Sequence, residues 1–266
     1  MSQPNVPTDL KLPHGSIWPV FLALGMAFFT MGLVVNWMLP FGGLLLLAAA
    51  IGWFREDHFF FRDGISTGER NGWHGTILFL CTEVMLFGGL FAAYFAARSK
   101  AEVWPPAGTP DLPVIATGIN TLVLLLSGVT MHYAHAALRK GNKRNFHIGL
   151  VATVFLGGIF MFGLGPLANV LPAIFHIGQL PEYRELISHG MTLSSAPFGS
   201  SFYMLTGTHG LHVLAGLVFI VIVLVRSLIG DFTPERHIAV EAAAIYWHFV
   251  DVVWVVLYAI IYLGIG

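Results

Sequence analysis

Charge is what this chain has least of. Only 10% of its 266 residues are Asp, Glu, Lys or Arg, against about 25% in a soluble globular domain. Apolar residues make up 56% and the mean hydropathy is +0.76, so the chain is read as an integral membrane protein. Its net charge of −1 leaves no basic surplus for nucleic acid. Cysteine is nearly absent. Cys81 stands alone, which excludes an internal disulfide and any multi-cysteine metal or iron–sulfur site. Its place within an apolar run predicts a buried, inert thiol. Residues 1–13 hold one lysine and no apolar core, so no signal peptide is expected there. No nucleotide loop, nucleophile triad, tandem repeat or low-complexity tail is visible. A single membrane domain over 1–266 is expected.

Long apolar runs are abundant. With roughly 20 apolar residues needed per crossing, seven transmembrane helices are predicted, at 16–36, 39–54, 73–97, 112–138, 146–165, 198–226 and 238–264. The fold class is therefore all-α and polytopic. A tight hairpin near residues 37–40 must join the first two helices. Gly163, Gly165 and Pro166 break the fifth pattern, and an apolar stretch follows it. Residues 179–187 are polar enough for an interfacial or loop helix. Trp18, Trp37, Trp53, Trp73 and Trp104 sit at span ends, as an aromatic belt predicts. The third span carries two rows of small residues, Gly88, Ala92, Ala96 and Gly89, Ala93, Ala97, the pattern of a closely packed helix face.

Seven crossings sort the 13 basic residues unevenly. Lys11, Arg55, Arg62, Arg70, Arg139, Lys140, Lys143, Arg144, Arg226 and Arg236 share the N-terminal side, while Arg98, Lys100 and Arg184 lie opposite. The positive-inside rule then puts the N-terminus in the cytoplasm and the C-terminus outside.

Ionisable side chains at bilayer depth are costly, so each is a candidate functional residue. Glu83 lies ten residues from Trp73, about 15 Å deep at 1.5 Å per residue. His209 and His212 lie nine and twelve residues from Ser200, roughly 13 to 18 Å deep. In the last span Glu241, His248 and Asp251 share a face within about 80° at 100° per residue. Glu83 is expected to hydrogen-bond to the sixth or seventh span. His132-x-x-His135 and His209-x-x-His212 resemble fragments of the histidine boxes of membrane desaturases. The two pairs lie at different depths, and ligands so placed cannot share a metal with bonds of about 2 Å. His248 with His209 or His212 remains a conceivable haem pair. Interior histidines satisfied by hydrogen bonds are the simpler reading, and no metal is expected. A proton channel built around Glu83, His248 and Asp251 is a further alternative, but no inverted repeat or continuous polar track supports it.

Several segments together resemble subunit III of the haem–copper respiratory oxidases, the cytochrome c oxidase type. Glu241-Ala-Ala-Ala-Ile-Tyr-Trp-His248-Phe-Val-Asp251-Val-Val-Trp254 follows that family's C-terminal signature. Thr206-Gly-Thr-His209-Gly-Leu-His212-Val and Thr82-Glu83-Val84 follow two more of its motifs. Ser16-Ile-Trp18-Pro19, Trp104-Pro-Pro, Asn120-Thr121, Ser127-Gly128 and Ala134-His135 extend the match over nearly the whole chain. The pattern departs at Tyr133 and Ala136. It also departs at Gln179-Leu-Pro-Glu182-Tyr183, which comes about fifteen residues later than the family's spacing after the fifth span.

The resemblance implies a non-catalytic subunit with no redox centre or catalytic residue of its own. Its first two helices would stand apart from the other five around a lipid-holding cleft. It would pack against subunit I, with subunit II and small subunits nearby, and the haem and copper would belong to those partners. It would support proton uptake on the cytoplasmic side and stability during turnover, in a bacterial or archaeal cell membrane. Glu83 would be the family's buried acid beside subunit I. Trp53, Arg55 and Arg226 would be candidate phospholipid contacts. A quinol oxidase or nitric-oxide-reductase-associated relative, or a histidine–metal membrane enzyme, are the alternative functions.

Overall fold

In the computed structural model the described residues are 66–163 and 178–265, together with 17, 18, 20, 21, 24, 25, 28, 41–46, 48, 49, 51 and 52. The chain divides into two compact units, Met1–Arg70 and Asn71–Gly266. Among the described residues all regular structure is helical.

In the first unit the described residues form two packed helical stretches. Trp18 lies against Gly52, Gly25 against Leu46, and the Phe28 ring meets Phe41 edge-on at 5.2 Å. As one partner's number rises the other's falls, so the stretches run antiparallel. Much of the expected spans 16–36 and 39–54 lies outside the described residues, as do Trp53 and Arg55.

Six helices follow. They are α1 (Ser66–Arg98), α2 (Val114–Arg139), α3 (Lys143–Phe162), α4 (Gln179–Ser188), α5 (Pro197–Leu228) and α6 (Ile238–Leu257). α6 runs on into a π-helical turn, Tyr258–Tyr262. Among the described residues five stretches are long and apolar enough to cross a bilayer: Gly72–Arg98, Val114–Arg139, Lys143–Phe162, Pro197–Leu228 and Ile238–Tyr262. They match the last five expected spans, with ends shifted by a few residues.

Local chemistry sets those ends. α2 and α3 form a tight hairpin because Gly141 adopts φ +72°, a conformation that costs glycine little. Asn142 then caps α3 by accepting the Asn145 N–H at 3.1 Å. α3 stops at Phe162, earlier than expected, because Gly163 turns to φ +71°. Pro197 starts α5, where its missing N–H has no helical partner to lose.

In lipid, apolar surface alone does not hold helices together, because the surroundings are equally apolar. Close packing and interhelical hydrogen bonds decide. Trp247 and Trp254 of α6 supply both. Trp247 is fully buried, and a Cβ added at Gly157 of α3 or Gly216 of α5 would sit 2.8 Å from its ring. Its indole N–H donates to Ser127 Oγ of α2 at 2.9 Å. Trp254 donates likewise to Thr121 Oγ1 at 2.9 Å, and Phe160 of α3 meets its ring edge-on at 4.9 Å. α2 and α3 approach closely where Gly149 faces Ala134.

α1 is different. Only 6% of its most apolar 18-residue window is buried. It meets α5 and α6 along one stripe, Phe79, Glu83 and Phe87, each one turn after the last. Phe79 stacks on Tyr246 at 6.2 Å, and Phe87 lies 5.0 Å from His212. One expectation is corrected here. Cys81 is exposed on the outer face of α1 rather than buried, because it falls off this narrow stripe. Among the described residues nothing covers the small-residue rows at their glycines: a Cβ added at Gly88 or Gly89 meets no atom within 4 Å.

Candidate functional site

The polar groups inside the helical bundle fall into separate clusters. Glu83 of α1 joins His212 of α5, with Oε2 2.8 Å from Nε2. The other ring nitrogen, Nδ1, lies 2.7 Å from the Thr208 carbonyl. A carbonyl only accepts, so Nδ1 carries a hydrogen. The Glu83–His212 contact must then hold one proton, on the acid or on the ring. Tyr246 braces the same turn by donating to the His212 carbonyl at 3.1 Å. The expected bond from Glu83 to the sixth span is thus present. Its motif partner His209 points elsewhere. It is fully buried, donates from Nε2 to the Val250 carbonyl at 3.2 Å and packs on Trp254 at 4.7 Å between ring centres.

α6 and α2 build a second cluster. Asp251 is buried against Gly128, where an added Cβ would collide with Oδ2. His248 Nδ1 lies 3.5 Å from that oxygen, and its ring is 6.5 Å from His132. Asp251 Oδ1 is buried without a hydrogen-bond partner. Glu241 does not join them. Ten residues earlier on α6, it lies within electrostatic reach of His135, whose ring is 5.4 Å from His237. The single acidic face predicted for the last span is therefore divided between two depths.

His248 faces Asp251 and His132, and His209 and His212 face other partners, so the conceivable haem pair is not assembled. Among the described residues no three His, Cys, Asp or Glu side chains are grouped so as to hold a metal ion. Of the candidate lipid contacts, Arg226 is described. Its Nε donates to Asp231 Oδ2 at 3.1 Å, and its guanidinium lies 5.0 Å from the Phe232 ring centre. Trp53 and Arg55 lie outside the described residues.

A third cluster was missed in the sequence. Gln179 and Glu182 of α4 are almost fully buried. Gln179 Nε2 donates to the Thr206 carbonyl at 2.5 Å and to Tyr183 Oη at 2.9 Å, and that hydroxyl donates to Thr206 Oγ1 at 2.7 Å. Glu182 accepts from Tyr262 Oη at 2.7 Å and from Thr117 Oγ1 at 3.3 Å. Residues 179, 182, 183 and 186 share one helical face, which was the available signal. The late position of this motif is reconciled by Gly163 and Gly178. A Cβ added at Gly178 would lie 2.6 Å from the Gly163 nitrogen. α4 therefore begins where α3 ends, despite the sixteen residues between them.

Known proteins resemble the chain over most of its length. The family profile described as cytochrome c oxidase subunit III matches residues 10–264. A cytochrome c oxidase subunit 3 from a Synechocystis species is 40% identical over 205 residues, covering 74% of this chain and 80% of that protein. The rat protein of that name is 36% identical over 263 residues, covering 93% and 94%. The one from Marchantia polymorpha is 36% identical over 264 residues, covering 93% of each.

Proposed function

This chain belongs to the cytochrome c oxidase subunit III family, and from that premise we propose that it is the non-catalytic third subunit of a proton-pumping terminal oxidase. The observation that carries the reading is the use made of the family's motif residues. Glu83 and His212 join α1 to α5, His209 joins α5 to α6, and Trp247 and Trp254 join α6 to α2. These side chains are committed to holding helices in register, which is the work of a scaffold.

In this reading the chain crosses the membrane seven times with its N-terminus in the cytoplasm. Five described helices long enough to cross, the antiparallel packing of the first unit and the bias of basic residues support it. The exposed apolar flank of α1, with its uncovered glycines, is suited to contact with another membrane subunit. Subunit I is the proposed occupant, and it would carry the haem and copper with subunit II. Structural phospholipids are proposed as further ligands, with Trp53, Arg55 and Arg226 as candidate headgroup contacts. Support of proton uptake and of stability during turnover completes the proposal.

The test is purification from native membranes by a tag on this chain. Copurifying haem and copper subunits are expected, and a dicopper site on the accompanying subunit II identifies cytochrome c as electron donor. Recovery of the chain alone, or with stoichiometric iron bound to it, overturns the assignment.

A further inference from the structure

α4 is short, but it roofs a cavity of about 320 Å³. Asp111, Pro113, Glu182, Glu185 and His189 are among the residues lining it. Glu182 is the unusual member. It is 3% exposed, yet it lines this space. Its two oxygens reach different elements: Oε1 accepts from Tyr262 of the C-terminal π-turn and Oε2 from Thr117 of α2. One carboxyl group thus ties α4 to both.

The groups around it set the balance between its two protonation states. On α4 itself Glu185 is a like charge, Tyr183 is neutral and hydrogen-bonded to Thr206, and Arg184 is exposed. The preceding loop contributes Asp111 and the following one His189. α5 contributes Tyr203, and α3 has no titratable residue in its last two turns. No cation forms a salt bridge with Glu182 among the described residues. Burial pushes this carboxyl up to about 7. The Tyr262 and Thr117 hydroxyls pull the other way, and Glu185 pushes it higher.

We propose that Glu182 is a proton-exchange site, reached by water through this cavity, whose ionisation loosens α4 from α2 and from the C-terminal turn. The neutral acid is satisfied once one of its two contacts turns round, its O–H donating to the Thr117 or Tyr262 hydroxyl oxygen. The carboxylate can accept about four hydrogen bonds and has two donors, so the rest must come from water drawn into the cavity.

The test uses the full chain purified from native membranes with whatever subunits accompany it. Infrared difference spectra between about pH 5 and about pH 9 follow protonated carboxyl groups. A component that titrates with a midpoint near 7 is expected, and Glu182→Gln should abolish it. Glu185→Gln should move the midpoint down by removing a like charge, and Tyr262→Phe should move it up by removing a donor to the ionised form. Hydrogen exchange of the α4 amides, corrected for intrinsic rates, should rise across the midpoint in the parent chain and stay flat in Glu182→Gln. Survival of the component in Glu182→Gln, or equal exchange profiles in both chains, overturns the proposal. If Glu182→Gln fails to fold, the other two variants decide, and an unmoved midpoint in both overturns it.

Discussion

Replacing Glu83 by glutamine should barely disturb the chain, whereas replacing it by lysine should largely prevent its assembly. Both outcomes follow from the single proton between Glu83 and His212. His212 spends Nδ1–H on the Thr208 carbonyl, so Nε2 faces the acid across 2.8 Å. A glutamine has nearly the same shape and can donate its amide N–H to Nε2. Interhelical hydrogen bonds in lipid contribute about 0.6 kcal/mol on average, so exchanging one for another should cost less than about 1 kcal/mol. Lysine sets an ammonium against the ring and brings a mid-helix insertion cost of about 3 kcal/mol. At about 1.4 kcal/mol per decade, that is roughly a hundredfold loss of correctly inserted chain. Removing both partners, in Glu83→Leu with His212→Leu, should recover much of what either leucine alone loses, because no buried polar group is left unpaired. The assay is the amount of assembled chain on native gels of solubilised membranes. Equal loss from the glutamine and lysine variants would refute the shared-proton reasoning.

Three further outcomes are expected. Thr121→Val leaves the buried Trp254 indole N–H without its acceptor and should cost about 1–3 kcal/mol, read as a lower melting temperature of the purified chain; an unchanged melt counts against the bond. Gly216→Val drives a side chain into the Trp247 ring and should cost about 1–3 kcal/mol or more, while Gly88→Val should leave the chain's own fold intact by near-ultraviolet circular dichroism. Glu182 makes stability depend on pH. Its folded value of about 7 exceeds its ordinary 4.5, so the folded chain holds a proton the unfolded chain releases, and stability should fall as pH rises between those values. Glu182→Gln should flatten that slope, measured by melting across the range.

The crossing helices were largely legible in the sequence because their signal is local: a run of apolar residues of fixed length. Glu83 was legible too, as one acid in a run of neutral residues whose burial demanded a partner. Its partner was not singled out, because His209 and His212 sit three residues apart and hydropathy gives no sign of which faces α1. Cys81 was misread for a related reason. In a membrane helix an apolar neighbourhood does not distinguish core from outer face, since both are apolar. Asp251 and Glu241 share a helical face by angle but lie ten residues apart, so angle alone joined what rise along the axis separates. The α4 cluster was hidden because its polar composition suggests a surface, while its burial depends on Tyr262 and Thr117, each far away in sequence.

The meeting of Gly163 and Gly178 has a practical corollary. The two glycines that flank the intervening piece meet at one point, so the length of that piece is uncoupled from the spacing of α3 and α4. A two- or three-residue splice should bridge the gap, and a compact reporter inserted at the same junction should be carried without prising those helices apart.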